Sequence, residues 1–149
     1  MRVLVQRVCF GGVHVEDEFR GQIGHGLVLL VGIHRDDDEE AVAFCADKCT
    51  DLRIFADDDG KMNRSVLDVE GEIVAVSQFT LYGDCRKGRR PSFDQAAPPK
   101  QAKPLYDLFV KLLGNRGVKV VTGEFGASML VEIHNDGPVT VIVENPSKR

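Results

Sequence analysis

An unbroken apolar run at residues 27–33 is the feature that most restricts how this chain folds. The run shows no alternation of polar and apolar residues, and Gly24-His25-Gly26 precedes it. This pattern is typical of a strand that is covered on both faces. At seven residues it is too short to cross a bilayer, which takes about 20 residues as a helix. The sequence therefore predicts a sheet with a buried central strand and no membrane segment.

Two helices are predicted on either side of a strand-rich middle section. Acidic residues at positions 36–40 suit the start of a helix, and helical spacing continues through residues 41–52. Pro98-Pro99 precede a second helix at about residues 100–113, whose apolar residues fall on one face. Those residues are Leu105, Leu108, Phe109, Leu112 and Leu113.

The remaining elements are predicted to be strands and turns. Strands are expected at residues 2–8, 13–15, 53–55, 72–82, 118–122, 128–134 and 139–144, with a bend at Gly11-Gly12, a turn at residues 57–60 and a polar tail at residues 145–149. A chain of 149 residues fits one domain. We predict a mixed α/β, strand-rich single domain over residues 1–149, with sheets packed against two helices on one face.

Charge and cysteine content restrict the setting in which the protein works. Its 19 Lys and Arg against 23 Asp and Glu give a net charge of -4, so any RNA contact must come from a local patch. Four scattered cysteines are too few for a disulfide framework, and residues 1–7 turn polar too early for a signal peptide. A cytoplasmic protein is expected.

No sequence motif predicts a cofactor or a metal ion. A third glycine and a following helix are both missing after Gly24-x-Gly26, so a dinucleotide site is not expected. Cys45 and Cys49 lie one helical turn apart without a nearby histidine, which favours small core residues, although ligands from elsewhere stay open. A Ser-His-Asp triad assembled in space also stays open, but no Gly-x-Ser-x-Gly elbow supports one.

A basic stretch follows the predicted strand at residues 72–82. Arg86-Lys87-Gly88-Arg89-Arg90 places four cations in five residues, and Lys100 and Lys103 follow nearby. One interpretation is a solvated loop. The other is a patch that contacts phosphates through Arg86, Lys87, Arg89 and Arg90, where each neutralised phosphate releases counterions and adds affinity.

Two segments together identify a family. Taken alone, Ser77-Gln78-Phe79-Thr80-Leu81-Tyr82 reads as a half-buried strand, and Asn135-Asp136-Gly137-Pro138-Val139-Thr140 reads as a turn between two strands. In this order and separation they resemble the two characteristic motifs of the D-aminoacyl-tRNA deacylase family, also called D-tyrosyl-tRNA deacylases. The resemblance covers nearly the whole chain. Cys9-Phe10-Gly11-Gly12 departs from the family, which more often has small polar residues and alanine there.

The resemblance implies an enzyme that hydrolyses the ester bond of D-aminoacyl-tRNA, and of glycyl-tRNA mischarged on other tRNAs, as proofreading of translation. Family members are homodimers with active sites at the subunit interface. In them Gly137-Pro138, with a cis peptide bond and held by Arg7, reaches into the partner's site. The backbone carbonyls of this dipeptide would form a wall that excludes an L-side chain and leaves a D-side chain free.

The catalytic residues implied by the resemblance are Ser77, Gln78, Phe79 and Thr80. Thr80 is a candidate nucleophile, but the sequence places no base beside it. In the competing scheme, which we favour, the 2′-hydroxyl of the RNA assists and backbone N–H groups around Phe79 and Thr80 supply an oxyanion hole. Phe125 and Met129 are expected to contribute to the adenosine pocket.

Two alternatives to a tRNA deacylase stay open. A non-enzymatic RNA-binding or replication-associated module on the same fold would use the basic stretch at residues 86–90. A hydrolase for free D-amino acid esters or peptides would need a nucleophile from the protein, and it would act on small esters that lack RNA.

Overall fold

The computed structural model describes residues 1–146. This part of the chain forms eight strands and two α-helices, and a 3₁₀ turn follows the sixth strand. The elements are β1 (Arg2–Val15), β2 (Glu18–Ile23), β3 (Gly26–Gly32), α1 (Glu39–Asp51), β4 (Phe55–Ala56), β5 (Met62–Arg64), β6 (Glu72–Ser77), the 3₁₀ turn (Phe79–Tyr82), α2 (Pro99–Asn115), β7 (Val120–Thr122) and β8 (Met129–Glu144).

The main sheet is built around β1, the longest strand after β8. Its order is β2-β1-β3-β6-β7, and β8 pairs with the other edge of β1. The β3–β6 and β6–β7 pairs are parallel, while β1 pairs antiparallel with β2, β3 and β8. β2 also comes close to β7, so the sheet curls until it is nearly closed. β4 and β5 form a separate two-stranded hairpin.

Two apolar cores lie on opposite faces of the sheet. On β3, Leu27, Leu29 and Val31 pack into the core shared with α1 and α2, whereas Val28 belongs to the core inside the curled sheet. Residues from the two helices enter only the first of these cores among the described residues. The predictions of a strand buried on both faces and of two helices on one face are therefore confirmed.

Capping and one buried hydrogen bond position the helices. The Asp38 carboxylate accepts a hydrogen bond from the Ala41 N–H at 2.9 Å, which caps α1 at its start. On α2, the Tyr106 hydroxyl donates to the Ala75 carbonyl of β6 at 2.7 Å. Burial raises the pKa of this hydroxyl, so it stays protonated and keeps α2 joined to the strand that leads into the site. No helix in the described range is long and apolar enough to span a bilayer.

The predicted strand at residues 72–82 is too long. β6 ends at Ser77, where its pairing with β3 reaches Val31 and the partner strand is about to end. The chain then winds into the 3₁₀ turn, in which the Leu81 N–H donates to the Gln78 carbonyl. The alternation of faces predicted for residues 77–82 is therefore wrong.

The predicted bend at Gly11-Gly12 is also wrong, because β1 continues through both glycines to Val15. An added Cβ on Gly11 would lie 2.9 Å from Cγ2 of Val28. Gly11 is thus required for close packing over β3, and not for a change of direction.

Residues 128–144 do not form two strands joined by a reversing turn, as the sequence predicted. Residues 129–144 lie in one long strand, β8, and both halves pair antiparallel with β1. Asn135 pairs with Val8 and Thr140 pairs with Gln6, so residues 136–139 face only Arg7. The Gly-Pro segment is a bulge in a continuing strand, which we call the β8 bulge (residues 136–139).

Candidate active site

A cavity of about 640 Å³ opens where β6 ends. This volume lies within the range of about 300–1,000 Å³ that is usual for small-molecule sites. Three segments line most of it: residues 77–79 at the end of β6, Phe93 and residues 96–99 before α2, and residues 125–127 with Met129 at the start of β8.

The end of β6 places polar backbone groups at this cavity. The Gln78 N–H still donates to the Val31 carbonyl at 2.7 Å, and the 3₁₀ turn begins at the next residue. The first N–H groups of a helical turn have no acceptor within it. Those of Phe79 and Thr80 have none within residues 1–146. They are thus available to donate hydrogen bonds to a carbonyl oxygen that becomes negatively charged during acyl transfer.

The hydroxyl of Thr80 is poorly placed to act as a nucleophile, whereas its backbone N–H is free to act as a hydrogen-bond donor within the described chain. Its side chain is exposed and does not line the cavity, whereas Ser77, Gln78 and Phe79 do. The Thr80 hydroxyl accepts a hydrogen bond from the Gln78 side-chain amide, which cannot act as a general base. Within the described residues, no imidazole, carboxylate or amine forms a hydrogen bond with the hydroxyl.

Phe125 and Met129 lie in the same cavity as residues 77–79. Both are half-buried, and the Phe125 ring lies 6.0 Å from the ring of Tyr106 on α2. They give the cavity apolar side chains in addition to the polar end of β6. Such side chains suit the faces of a nucleobase.

Arg7, Gly137 and Pro138 do not line the cavity of their own chain. The Arg7 side chain is only 14% exposed; its Nε lies 3.5 Å from Oδ2 of Asp136, and its Nη1 donates to the Ile54 carbonyl at 2.8 Å. Gly137 and Pro138 are exposed, and the peptide bond between them is cis. Arg7 therefore connects the β8 bulge to the β4–β5 region.

Asn135 closes the base of the β8 bulge. Its side-chain amide donates to the Arg7 carbonyl and to the Val139 carbonyl, both at 3.0 Å. Its side-chain oxygen accepts from the Thr140 hydroxyl at 3.2 Å. Sequence reasoning gave Asn135 no role of its own, although an asparagine just before Asp-Gly-Pro is a known signal for side-chain bonding to a nearby backbone.

The basic stretch is a closed loop whose cations are not equivalent. Asp84 and Ser92 exchange two backbone hydrogen bonds, of 2.7 and 2.9 Å, and so define the basic loop (residues 84–92). Arg86 donates to both carboxylate oxygens of Asp84, at 2.9 and 2.7 Å, and this pair lowers the pKa of Asp84 to about 2. The other three cations are exposed and form no ion pair within residues 1–146: Lys87, Arg89 and Arg90.

Cysteines and metal ligands offer no second site. Cys45 and Cys49 are fully buried on α1, and burial raises the pKa of the Cys45 thiol to about 11. A thiol of this kind packs as a small apolar group. Over residues 1–146, no group of three or more His, Cys, Asp or Glu side chains is arranged to hold a metal ion.

Comparisons with known proteins give a consistent result. The family model described as D-Tyr-tRNA(Tyr) deacylase matches residues 4–144. The D-aminoacyl-tRNA deacylase of Brevibacillus brevis is 61% identical over 145 residues, which is 97% of this chain and 100% of that protein. The D-aminoacyl-tRNA deacylase of a Geobacillus species is 59% identical over 148 residues, covering 99% of this chain and 97% of the relative.

A solved structure shares the fold over almost every residue. The c-Myc DNA Unwinding Element Binding Protein superimposes with a TM-score of 0.91 at 39% sequence identity, covering 99% of this chain and 100% of that one. Its name refers to DNA, whereas the names of the bacterial relatives refer to tRNA. The family match nevertheless spans the whole region that forms the cavity, the basic loop and the β8 bulge. The chain belongs to the D-Tyr-tRNA(Tyr) deacylase family, a family of hydrolytic enzymes.

Proposed function

We propose that this protein hydrolyses the ester bond of D-aminoacyl-tRNA and releases the free D-amino acid as a proofreading step of translation in the cytoplasm. The main support for the proposal is the arrangement of backbone groups where β6 meets the 3₁₀ turn. There, the N–H groups of Phe79 and Thr80 have no acceptor in the described chain; Phe79 lines a cavity that is partly apolar, and Thr80 is the next residue. This combination suits an acyl ester on an adenosine, because the base needs apolar contacts and the reacting carbonyl needs donors.

The chemical step is proposed to be attack of water on the ester carbonyl. The 2′-hydroxyl of the terminal adenosine assists by passing a proton from the water to the 3′-oxygen, which leaves as a free hydroxyl. The N–H groups of Phe79 and Thr80 stabilise the negative charge that develops on the carbonyl oxygen of the ester, and Ser77 and Gln78 help to position the ester. Binding the RNA and the carbonyl together gives the enzyme its rate through orientation. The lack of a base beside Thr80 supports this scheme over a covalent acyl-enzyme.

Chiral selection is proposed to come from a second subunit. Gly137 and Pro138 are exposed and outside their own cavity, so they are available to reach the cavity of a partner. Their carbonyls would stand beside the α-carbon of the substrate and exclude an L-side chain. Glycine has no side chain to exclude, and so glycyl-tRNA is expected to be cleaved as well.

The edge position of β8 supports a homodimer. This strand of 16 residues pairs only with β1 in the described chain. It exposes Leu130 by 64% and Ile142 by 60%, which are large fractions for apolar side chains. A long edge strand with exposed apolar residues is a liability unless another surface covers it. A second copy related by a two-fold axis would cover β8 and bring each β8 bulge to the partner.

One assay tests the proposed function. Purified protein is mixed with tRNA charged with D-tyrosine, L-tyrosine or glycine, and the released amino acid is measured. D-tyrosine and glycine should be released well above the uncatalysed rate, and L-tyrosine should not. Equal release of D- and L-tyrosine would contradict the chiral wall, and resistance of glycyl-tRNA would mean that selection depends on contacts with a D-side chain.

Two competing functions have distinct outcomes. The likeness to a protein named for DNA binding favours a nucleic-acid-binding module, which would bind nucleic acid but leave every charged tRNA intact. A hydrolase for free esters would cleave the methyl ester of D-tyrosine as readily as the tRNA ester. Including both substrates in the assay separates the three functions.

A further inference from the structure

Two exposed aromatic rings stand at the rim of the cavity. Phe79 is 54% exposed and Phe93 is 37% exposed, and both line the cavity. Their ring centroids lie 5.1 Å apart at an interplanar angle of 71°, an edge-to-face pair. An edge-to-face pair leaves ring surface open toward solvent, and such surface is suited to stacking with another planar group. We call these two side chains the rim pair.

The rim pair is held in place by the surrounding backbone. Phe93 directly follows Ser92, which is bonded to Asp84 at the base of the basic loop, and its carbonyl accepts from the Ala96 N–H at 3.1 Å. Its ring also packs over Gly83, where an added Cβ would lie 3.1 Å from Cε1 of Phe93. A ring fixed in this way loses little rotational freedom when a ligand stacks on it.

Cations lie next to the rim pair along the chain. Arg90 precedes Phe93 by three residues, and Lys87 and Arg89 lie in the same basic loop. Aromatic rings beside exposed cations are the usual surface for single-stranded nucleic acid, because bases stack on the rings and phosphates contact the cations. Neither a purely apolar ligand nor an acidic peptide would use both features.

We infer that the rim pair is a stacking platform for the base of the nucleotide that precedes the terminal adenosine, a cytidine in transfer RNA. The inference rests on the proposed function, which places the adenosine inside the cavity. From there the RNA strand must leave across the rim. Phe93, which lines the cavity, directly follows the basic loop in the chain, and Phe79 lies beside it. The phosphates farther along the strand then meet Lys87, Arg89 and Arg90.

The test compares two short substrates with the full-length protein. One is the D-tyrosyl ester of adenosine, and the other is the D-tyrosyl ester of the dinucleotide cytidylyl-adenosine. Stacking of one base on protein aromatics corresponds to about 5-fold to 150-fold in affinity. The kcat/KM of the wild type should therefore be higher for the dinucleotide by a factor in this range. The Phe93→Leu variant keeps an apolar side chain without a ring, and it should bring the ratio of the two values close to one.

Two further variants separate stacking from a general loss of structure. Phe93→Tyr keeps the ring and should keep most of the wild-type ratio. Phe44→Leu removes a half-buried ring on α1, where it packs under Lys48 and away from the cavity, and should leave the ratio unchanged. Because the readout is a ratio, it does not depend on how much folded enzyme a preparation contains.

The possible outcomes distinguish this inference from the proposed function. No cleavage of either ester or of D-tyrosyl-tRNA by the wild type would overturn the proposed function. Two outcomes would overturn the stacking platform but leave the proposed function in place. In one, the wild type cleaves both esters with nearly equal kcat/KM. In the other, Phe93→Leu has the same ratio of kcat/KM values as the wild type. The platform is supported if Phe93→Leu loses the preference for the dinucleotide ester and Phe93→Tyr retains it.

Discussion

Thr80 distinguishes the two catalytic schemes. Because its hydroxyl bonds to the Gln78 amide and to no base among residues 1–146, Thr80→Ala should keep activity within about ten-fold of the wild type. Removal of a true nucleophile costs about 10⁶ in a well-studied serine protease. The backbone N–H survives this substitution. Charged tRNA that lacks the terminal 2′-hydroxyl should instead react poorly with the wild-type enzyme. Single-turnover rates of both substrates give the comparison.

Binding and folding are the necessary controls for Thr80→Ala. Affinity for uncharged tRNA and the midpoint of thermal unfolding should both match the wild type. A variant that folds and binds but is inactive, together with normal cleavage of the 2′-deoxy substrate, would identify Thr80 as the nucleophile.

Gly137 is a residue at which a single methyl group is expected to change selectivity. Its φ is +119°, and an added Cβ would lie 2.9 Å from both Nη2 of Arg7 and Cγ2 of Val139. Gly137→Ala must therefore shift the β8 bulge or displace Arg7. We expect the ratio of D- to L-tyrosyl-tRNA hydrolysis to fall by at least about ten-fold. The ratio is obtained from kcat/KM for each substrate.

Gly60→Ala is the matched control for Gly137→Ala. Gly60 also has a positive φ, +79°, but an added Cβ meets nothing within 4 Å. Gly60→Ala should show how much stability is lost when alanine adopts a positive φ without a steric clash. It should leave the ratio of D- to L-tyrosyl-tRNA hydrolysis unchanged. Equal ratios for both variants and the wild type would remove the β8 bulge from chiral selection.

Among the loops, the basic loop carries a prediction about salt. The sequence alone suggested four phosphate contacts, but Arg86 is occupied by Asp84. Replacing Lys87, Arg89 and Arg90 with alanine should thus weaken tRNA binding. It should also reduce the slope of log affinity against log salt concentration by the amount that corresponds to at most about three phosphate contacts. The double variant Asp84→Asn/Arg86→Gln removes one charge of each sign and should change the slope little. An unchanged slope in the triple variant would make the loop a solvated surface.

Helices and strands with a strong apolar pattern could be predicted from sequence. Strands that are stabilised mainly by backbone hydrogen bonds to a neighbouring strand could not. β3 and both helices were expected within a few residues of their observed bounds, because each buries a continuous set of apolar side chains. β2 was not expected. Only Ile23 of this strand is buried, and its backbone pairing with β1 stabilises the rest. Local residue patterns carry no record of such long-range pairing.

The site was less predictable than the fold. From residue pattern alone, residues 77–82 are one more half-buried strand, and only the resemblance to a family marked them as functional. The 3₁₀ turn, which leaves the N–H groups of Phe79 and Thr80 without an acceptor among residues 1–146, depends on where β3 ends. A residue pattern within β6 does not contain that information. Phe93 was likewise one apolar residue in a polar loop until the fold placed it at the cavity.

For the molecule as a whole, the main prediction concerns the number of subunits that make one site. If the β8 bulge acts on the partner, Ala96→Trp, which fills the cavity, and Gly137→Val, which disrupts the bulge, should each be inactive. A mixture that exchanges subunits should recover up to about a quarter of the wild-type rate, because half of the dimers then hold one intact site. Sedimentation at assay concentration checks the association state. A fully active monomer would contradict the shared site.

The way the β8 bulge is attached has a consequence for binding entropy. The tip of a hairpin is anchored on one side and can swing, whereas this bulge leaves and re-enters the same strand ladder, with Asn135 bonded across its base. Its conformational freedom is already lost when the chain folds. If the β8 bulge forms the proposed chiral wall, little further entropy is lost when a substrate arrives, and even a small difference between two mirror-image amino acids should appear almost undiminished in their binding free energies.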